Sequence, residues 1–267
     1  MVKEELEVEK KAKIREAQEL EVQPKIEEKL EEAEEKELPV RETRKTREAR
    51  EKEAQLESWV PKTELGRQVR SAKIKDINEI LQRNQKILEA EIVDLLLPNL
   101  ESDLIHIGQS KGKFGGGKRR PWRQTQRKTA EGNVPSFACM AVVGDRKGHV
   151  GLGYAKAKET VPAKQKALRV AKLNLTSIKR GCGSFSCTCH EPHSIPFETE
   201  GKVGSVKIKL IPAPKGTGLA IEDEMKKILK MVGIKDIYSK TFGKTRTKFN
   251  LAKACLEALK KLNRVLV

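Results

Sequence analysis

The sequence predicts an α+β fold, in which antiparallel strands and helices are mixed along the chain. The first observation behind this prediction is a hairpin pattern at 142–154 that runs into a lysine-rich helical pattern at 158–174. The second is an alternating strand pattern at 203–211 that is followed by two further helical patterns. Sheets that pack helices against one face are the architecture favoured by this order. With 267 residues, the chain is long enough for one or two domains with a buried core.

Residues 1–57 differ in composition from the rest of the chain. They include 14 Lys and Arg against 19 Asp and Glu, a net charge of −5, and they lack a large apolar stripe. Helical propensity is high but little can be buried, so we expect a charged helical or disordered extension. The extension is either a solvated tail without a specific role or an arm that lies on RNA or on a neighbouring protein. Its most basic part is 41–50.

Residues 58–267 carry 41 basic and 19 acidic residues, a net charge of +22. This charge predicts a polyanionic partner, because each neutralised phosphate releases counterions. No apolar run of about 18 residues and no basic amphipathic helix with aromatic residues opposite is present in the sequence, so no membrane contact is expected. The chain also starts without a signal-peptide pattern, and we expect a cytoplasmic protein. A 37% hydrophobic and 4% aromatic content disfavours an enzyme with a deep pocket for a small-molecule substrate.

The first predicted domain, residues 58–175, combines two short helices, a three-stranded antiparallel sheet and one longer helix. In chain order these are helices at 77–84 and 90–96, strands at 104–107, 137–143 and 150–154, and a helix at 158–174. The turn at 145–148 joins the last two strands, and Gly148 is expected to take a positive φ there. The long helix is predicted to bury Val161, Leu168, Ala171 and Leu175. A hairpin followed by a lysine-rich helix suits a module that grips a phosphate backbone.

The segment 111–128 contains eight basic residues and no acid, and we predict a flexible loop that lies along RNA. Trp122 would be available there to stack on an exposed base. Gly112, Gly117 and Lys118 have the spacing of a nucleotide-binding P-loop. However, Arg119 stands where that motif needs a Mg²⁺-ligating hydroxyl, so ATP binding is not expected. A kinase-like enzyme is therefore disfavoured.

The second predicted domain, residues 201–267, contains a strand at 203–211 and helices at 222–231 and 251–262, with a short connector at 238–242. Gly233 is predicted to end the first of these helices. The loop at 214–218, Pro-Lys-Gly-Thr-Gly, is either a phosphate contact or a plain turn. Glu222, Asp223 and Glu224 are interpreted as first-turn charges that complement the helix dipole rather than as general bases.

Residues 176–200 form a cysteine-rich linker between the two predicted domains. Cys182, Cys187, Cys189 and His193 fall within twelve residues, and three thiols with one imidazole are the ligand set of a closed, structural Zn²⁺ site. His190 is the alternative fourth ligand, although its position one residue after Cys189 would strain the closure. The competing interpretation is a reduced thiol cluster in a basic loop. No open coordination position is expected, which disfavours a zinc hydrolase.

The other histidines and cysteines are predicted to be structural. His106 lies in an apolar strand and His149 in the hairpin, where each is expected either to support the fold or to contact RNA. Cys139 and Cys255 are expected to be plain core thiols.

Three ordered blocks of sequence, taken together, identify a family. The first is Gly-Asp-x-x-Gly-x-Val-Gly-x-Gly at 144–153, followed by the basic helix. The second is the run at 201–218 with Val-Gly-Ile-Lys-Asp at 232–236, and the third is Lys-Thr-Arg-Thr-Lys-Phe-Asn at 244–250. The chain from 58 to 267 thereby resembles the universal small-subunit ribosomal protein five family. The cysteines and the Pro-His pair of the linker resemble its archaeal branch, the counterpart of eukaryotic small-subunit protein two.

The resemblance implies a double-stranded-RNA-binding-like fold for the first domain. For the second, it implies an α/β sandwich with a left-handed βαβ unit. The implied function is that of a structural constituent of the small ribosomal subunit, not an enzyme, that supports translational accuracy in the cytoplasm. The implied partners are small-subunit rRNA close to the decoding region, mRNA near the channel through which it enters, and small-subunit ribosomal proteins four and eight. The alternative is an RNA-binding protein that acts outside the ribosome.

The residues expected to contact rRNA are basic or aromatic and lie in loops, turns or helix starts. They are Lys111, Lys113, Lys118, Arg119, Arg120, Trp122, Arg123, Arg127, Lys128, Arg146, Lys147, Lys156, Lys158, Lys215, Lys244 and Arg246.

Overall fold

The computed structural model describes residues 54, 56–110, 119–189 and 191–264. Every element below lies within the unit from Trp59 to Val267. The predictions made for 1–53, for Lys111, Lys113 and Lys118, and for His190 fall outside the described residues.

The first sheet is built around β3 (Gly132–Gly144), a long strand that pairs with three others. β1 (Glu101–Ile105) pairs antiparallel with the second half of β3, and β2 (Trp122–Thr129) pairs antiparallel with its first half. On the other edge lie β4 (His149–Ala157) and β5 (Leu175–Ser177). The prediction of three strands was therefore wrong, and so was the assignment of 122–128 to a loop. After Trp122, β2 contains only polar residues, so no apolar alternation marks it as a strand; its hydrogen bonds to β3 hold it.

Three short helices precede this sheet and share a small core. They are α1 (Glu64–Arg70), α2 (Ile77–Gln82) and α3 (Ala90–Leu96). Their buried side chains include Ile80, Ile92 and Val93, which pack with Leu175. α1 was not predicted from the sequence. Its start is fixed by Thr63, whose hydroxyl accepts a hydrogen bond of 3.1 Å from the Gly66 N–H.

The long helix α4 (Thr160–Leu173) packs on one face of the first sheet through alanine. Ala163, Ala167 and Ala171 are fully buried, whereas Val161 is 58% exposed. The prediction that Val161 faces the core was therefore wrong. A helix can approach a sheet this closely only over small residues, and β4 offers Gly151 and Gly153 at the contact.

In the described part of the chain, the second sheet consists of four strands. The strand predicted at 203–211 is present as β7 (Val206–Pro212), and it forms a hairpin with β6 (Thr199–Val203), which was not predicted. β9 (Ile237–Phe242) is an inner strand where a connector was predicted. β8 (Leu219–Ala220) pairs parallel with β9, so β8, α5 (Asp223–Val232) and β9 form a βαβ unit. The C-terminal helix is α6 (Lys248–Arg264).

Glycine ends α5 as predicted. Gly233 takes the left-handed conformation with φ +87°, and its N–H donates to the carbonyl of Leu229. The neighbouring helix α6 packs across the β6–β7 hairpin, where the backbone of Ala254 lies directly over Gly201.

One apolar core joins the two sheets. Met140 and Val142 of the first sheet pack in the same buried cluster as Ile208 of the second sheet, Leu229 of α5 and Leu259 of the C-terminal helix. A polar contact crosses the same boundary, because both carboxylate oxygens of Glu224 lie 2.8 Å from His106 nitrogens, one from the backbone N–H and one from Nδ1. Glu224 is therefore more than a first-turn charge of its helix. The α+β class is confirmed.

The hairpin turn of the first sheet contains a buried polar network. His149 Nδ1 lies 2.6 Å from Asp145 Oδ2, and its Nε2 lies 2.8 Å from Asn78 Oδ1. Burial opposes ionisation of Asp145, but hydrogen bonds from His149 and from the backbone outweigh it and hold the pKa below its usual value. The structure thus gives His149 a role in the fold. Gly148 takes φ +118°, as the turn requires.

The two remaining cysteines lie in the core. Cys139 and Cys255 have no exposed surface, and burial raises the pKa of both thiols, that of Cys255 to about 12. Neither carries a thiolate near neutral pH, which agrees with plain packing roles.

Candidate RNA-binding groove and metal centre

A groove of about 1350 Å³ runs between β2 of the first sheet and the start of α6. Its described lining contains five basic residues and no acidic one. Four of the five were predicted as rRNA contacts, namely Arg119, Arg120, Arg123 and Arg246, and the fifth is Lys248. Arg119 also donates to the carbonyl of Arg246 at 3.4 Å, which joins the two walls. Residues 127 positions apart in sequence thus create one positively charged channel, here called the basic groove.

Strand register places the charges on one face of the first sheet. Ala138 of β3 is paired with Arg123 of β2 on one side and with Lys156 of β4 on the other. Directly paired residues project to the same face, so Arg123 and Lys156 lie on the face opposite α4. Because side chains alternate along β2, Arg127 shares that face. This row extends the positive charge of the basic groove along the sheet.

Two aromatic rings lie at the floor of the basic groove. Tyr154 and Phe249 pack edge to face with ring centroids 4.6 Å apart, which links β4 to α6. Lys253 covers Phe249, with its Nζ 4.3 Å from the ring centroid. The rings thus brace the contact between the two sheets beneath the arginines.

Trp122 points to the other face of β2. It packs with the alanine cluster beneath α4, and the Nζ of Lys164 lies 5.6 Å from its ring centroid. Stacking on an exposed base was the role expected for Trp122 from the sequence. In the folded chain, Trp122 is half-buried and one of its ring faces is covered by Lys164, an arrangement that does not favour stacking on a base.

The other predicted contact residues lie apart from the basic groove's lining. Arg146 and Lys147 are exposed in the β3–β4 turn, where Arg146 pairs with Glu101 at 2.7 Å. Lys158 and Lys244 are exposed in loops. Lys128 is exposed near the end of β2. Lys215 pairs with Glu191 at 2.7 Å beside the cysteine-rich linker.

The linker folds so that Cys182, Cys187, Cys189 and His193 converge. Their ligand atoms all lie within 4.8 Å of one another. Cys189 Sγ is 3.7 Å from Cys182 Sγ and 3.2 Å from Cys187 Sγ, while Cys187 Sγ is 3.6 Å from His193 Nε2. Backbone hydrogen bonds of Gly181 and Gly183 to Ser194 and Ile195 bring the two ends of the linker together. We call these four residues the Cys₃His cluster.

These spacings suit a tetrahedral metal ion. With Zn–S near 2.3 Å and Zn–N near 2.05 Å, a tetrahedral angle separates two sulfurs by about 3.8 Å and a sulfur from a nitrogen by about 3.6 Å. The observed 3.7 and 3.6 Å match these values. The 3.2 Å between Cys187 Sγ and Cys189 Sγ is shorter than the tetrahedral spacing and too long for a disulfide, so these two sulfurs must move apart slightly to bind the ion. All five cysteines of the chain are free. The Cys₃His cluster can therefore hold a metal ion.

Backbone dipoles already favour a thiolate in the cluster. The N–H groups of Cys189 and Lys215 point at the Cys187 sulfur and lower the pKa of this thiol to about 6. Partial burial and the neighbouring thiols of Cys187 and Cys189 raise the pKa of Cys182 to about 11. The Cys187 thiol is thus ready to bind a cation at neutral pH, whereas the Cys182 thiol needs the charge of the cation to ionise.

The loop at 214–218 is not open to a phosphate. The backbone N–H groups of Gly216 and Gly218 both donate to Asp236 Oδ1, at 3.1 and 2.8 Å. The two glycines have φ +93° and +75°, the geometry that gathers amides into an anion-binding nest. A carboxylate of the chain itself fills the nest. The prediction that the amides of this loop contact a phosphate is therefore wrong, and the plain-turn alternative is closer to the structure.

At the metal centre, Asp236 is a residue that sequence reasoning missed, as Lys248 is in the basic groove. Asp236 lies between α5 and β9, is 4% exposed, and its Oδ2 is 2.8 Å from His193 Nδ1. Its only signal in the sequence was its place at the end of the Val-Gly-Ile-Lys-Asp block, which gave no hint of a contact 43 residues away.

In the described part of the chain, no helix is both long enough and apolar enough to cross a membrane.

Comparisons with known proteins agree on one family. The model of the N-terminal domain of ribosomal protein S5 matches residues 122–179, and that of its C-terminal domain matches 201–266. A protein of Nanoarchaeum equitans named small ribosomal subunit protein uS5 is 49% identical over 212 residues, which cover 79% of this chain and 91% of that protein. Proteins of the same name from Thermofilum pendens and Methanocaldococcus jannaschii are 48% and 46% identical, over 76% and 78% of this chain and 93% and 89% of theirs.

Proposed function

The chain belongs to the ribosomal protein S5 family, and from that premise we propose that it is a structural, non-enzymatic constituent of the small ribosomal subunit that binds rRNA. The observation that carries the proposal is the basic groove, in which Arg119, Arg120, Arg123 and Arg246 converge and no acidic residue is present in the described lining. Lys248 also lines the groove, but it is paired with Glu222, which lies outside that lining. Such a channel attracts the phosphate backbone because every contact releases a counterion. As a constituent of the ribosome, the protein acts in the cytoplasm.

The basic residues of the groove are attached to rigid parts of the fold, which fixes where they can contact rRNA. β2 is held by the ladder to β3 along its whole length, and Arg246 stands just before α6, which packs on the second sheet. The backbones of Arg123 and Arg246 are thus fixed before phosphates arrive, and a guanidinium can bind a phosphate with two parallel hydrogen bonds. Two such walls, joined by one apolar core, can fix the angle between rRNA segments that would otherwise repel each other.

Within the subunit we place the protein close to the decoding region and to the channel through which mRNA enters, in contact with ribosomal proteins four and eight. The family resemblance supports this placement, as does the exposure of basic residues at several separate points of the surface. In this position the protein contributes to translational accuracy.

Sedimentation tests the proposal against the alternative of an RNA-binding protein outside the ribosome. The tagged full chain, expressed in archaeal cells, is expected to remain with small subunits after a wash in high salt. A matched variant with Arg119, Arg120 and Arg123 changed to Ala should be depleted from the washed subunits. Full recovery of the chain in the ribosome-free fraction would contradict the assignment to the subunit.

We further propose that the Cys₃His cluster binds one structural Zn²⁺. Cys182, Cys187, Cys189 and His193 would supply all four ligands, so no coordination position is left for catalysis. When bound, the ion supplies a cross-link for a linker that has few apolar side chains of its own. The match of the sulfur and nitrogen spacings to a tetrahedral ion supports this proposal over a reduced thiol cluster.

Elemental analysis of the purified full chain should give about one zinc per molecule. Changing both Cys187 and Cys189 to Ser should abolish the zinc, whereas changing the core thiols Cys139 and Cys255 to Ala should leave it unchanged. Metal-free protein that folds and enters subunits normally would contradict the zinc proposal and leave the proposal of rRNA binding intact.

A further inference from the structure

Asp236 uses both of its carboxylate oxygens on buried partners. Oδ2 lies 2.8 Å from Nδ1 of His193, and Oδ1 accepts hydrogen bonds from the N–H groups of Gly216 and Gly218. The side chains of Asp236 and His193 are 5% and 4% exposed, so water does not compete for these contacts. A single carboxylate therefore connects the Cys₃His cluster to the loop at 214–218.

The contact with Asp236 decides which nitrogen of His193 is available to a metal ion. The Asp236 carboxylate already accepts hydrogen bonds from two backbone N–H groups, so we assign it as the acceptor from His193 as well, with the ring proton on Nδ1. In the neutral ring, Nε2 then has its lone pair free, and Nε2 is the nitrogen that faces Cys187 Sγ at 3.6 Å. The backbone of His193 is also held in place, because its carbonyl oxygen accepts hydrogen bonds from the N–H groups of Lys235 and Asp236, at 2.8 and 3.2 Å.

The loop at 214–218 also contacts the Cys₃His cluster directly. The N–H of Lys215 points at the Cys187 sulfur, while the next amides are bound by Asp236. Backbone N–H groups directed at a coordinating sulfur, and a carboxylate behind a coordinating imidazole, are the contacts that orient the ligands of metal sites. The loop and Asp236 thus form one shell around the cluster.

We propose that Asp236 is a positioning residue of the metal centre, which fixes His193 for binding through Nε2 and ties the loop at 214–218 to the ion. This inference rests on the proposed zinc site and adds to it a residue that lies 43 positions from the nearest ligand. It also gives the loop a function: the loop holds the centre, and it presents Lys215 at the surface, 57% exposed and paired with Glu191.

The variant Asp236→Asn tests the proposal with almost no change in shape. An amide has one accepting oxygen and one donating nitrogen, so it cannot accept from Nδ1 and from the loop at the same time. If its oxygen stays with the loop, its NH₂ group faces Nδ1, and the proton of the ring moves to Nε2, where it blocks binding. We expect the affinity of the full chain for Zn²⁺, measured by competition with a chelator, to fall about 10- to 100-fold.

Cobalt supplies a readout that a merely structural role would not change. Co²⁺ bound by three sulfurs and one nitrogen has visible absorption that changes when water replaces the nitrogen. Asp236→Asn should shift this spectrum in the same direction as His193→Ala. The control Asp223→Asn removes an equally charged, exposed residue that pairs with Lys226, and it should leave both affinity and spectrum as in the wild type.

A double variant separates action through His193 from action through the loop. In the His193→Ala background, Asp236→Asn should cause a much smaller loss of Zn²⁺ affinity than in the wild type, because only its action through the loop at 214–218 remains. A full additional loss would overturn the positioning role.

If Asp236→Asn does not fold, the nitrogen-15 spectrum of the zinc-loaded wild type decides instead. A protonated Nδ1 and a metal-bound Nε2 of His193 support the proposal, and the reverse refutes it. A wild type that binds neither Zn²⁺ nor Co²⁺ would refute the zinc site itself, whereas metal binding unaffected by Asp236→Asn refutes only the inference.

Discussion

Gly153→Ala should loosen α4 from the first sheet, although it adds only one methyl group. A Cβ at this position would lie 2.1 Å from the carbonyl oxygen of Ala167 and 2.3 Å from the backbone nitrogen of Ala171. Comfortable contact between such atoms begins near about 3.5 Å, so the helix must retreat by about 1 Å. Both obstacles are backbone atoms, and no side-chain rotation relieves the clash.

The magnitude follows from two opposing effects. Overpacking of this kind costs about 1–3 kcal/mol, and Ala gains back about 0.4–1 kcal/mol because it has less freedom in the unfolded chain. We therefore expect a net loss of about 1–2 kcal/mol of unfolding free energy. For a chain of this size that corresponds to a decrease in Tm of about 2–8 °C.

Urea denaturation of the full chain, followed by circular dichroism, measures this loss as a lower midpoint with an unchanged slope. Gly132→Ala is the control, because its φ of +121° is strained for alanine but nothing lies within 4 Å of the new Cβ. The loss of stability in Gly132→Ala therefore measures backbone strain alone, without a clash against α4. A Gly153→Ala protein as stable as the wild type would refute the close approach of helix and sheet.

Three further predictions concern the turn network, the metal centre and the extension. Asp145→Asn should cost about 1–3 kcal/mol at neutral pH, since the carboxylate accepts from two amides and from His149. The pKa of Asp145 in the folded protein lies below the usual 3.8, so the stability that the carboxylate adds is fully present above pH 3.8 and is lost as the pH falls through the folded pKa. A difference in stability between wild type and variant that is equal at pH 7 and pH 2 would contradict this. A strong chelator should lower the Tm of the zinc-loaded wild type and leave that of a Cys187→Ser, Cys189→Ser variant unchanged, because only the folded cluster binds the ion; equal shifts in both would speak against the site. A chain that begins at Ser58 should melt within a few degrees of the full chain, since the described core starts at Val69, and a collapse of its Tm would show that residues 1–57 pack on the rest.

Elements with strong local signals could be predicted from the sequence. The turn at 145–148, the helix that became α4 and the glycine that ends α5 depend on neighbours in sequence, and all three are present. The Cys₃His cluster was also predictable, because its four ligands fall within one short segment. What could not be predicted depends on distant partners. The polar strand β2 forms because its backbone pairs with that of β3. The basic groove forms because the shared apolar core brings Arg246 next to Arg119.

Two interpretations were wrong for the same physical reason. The glycine-rich loop at 214–218 has the geometry of an anion site, but a buried aspartate from elsewhere in the chain occupies it. Likewise, Val161 has the apolar character of a core residue, but the close packing of α4 admits only alanine at the interface. In each case a local pattern described the residue correctly, and the tertiary contact decided its role.

The dependence of rRNA binding on salt tests the central claim most directly. For wild type and for the variant with Arg119, Arg120 and Arg123 changed to Ala, the logarithm of the affinity for small-subunit rRNA is plotted against the logarithm of salt concentration. If each arginine neutralises one phosphate, the slope should decrease by roughly 0.9 per residue, the value for duplex DNA. A control with the exposed Arg67, Lys75 and Arg83 changed to Ala removes the same charge outside the basic groove, and it should keep the wild-type slope. An unchanged slope in the groove variant would contradict the claim that rRNA binds in the basic groove.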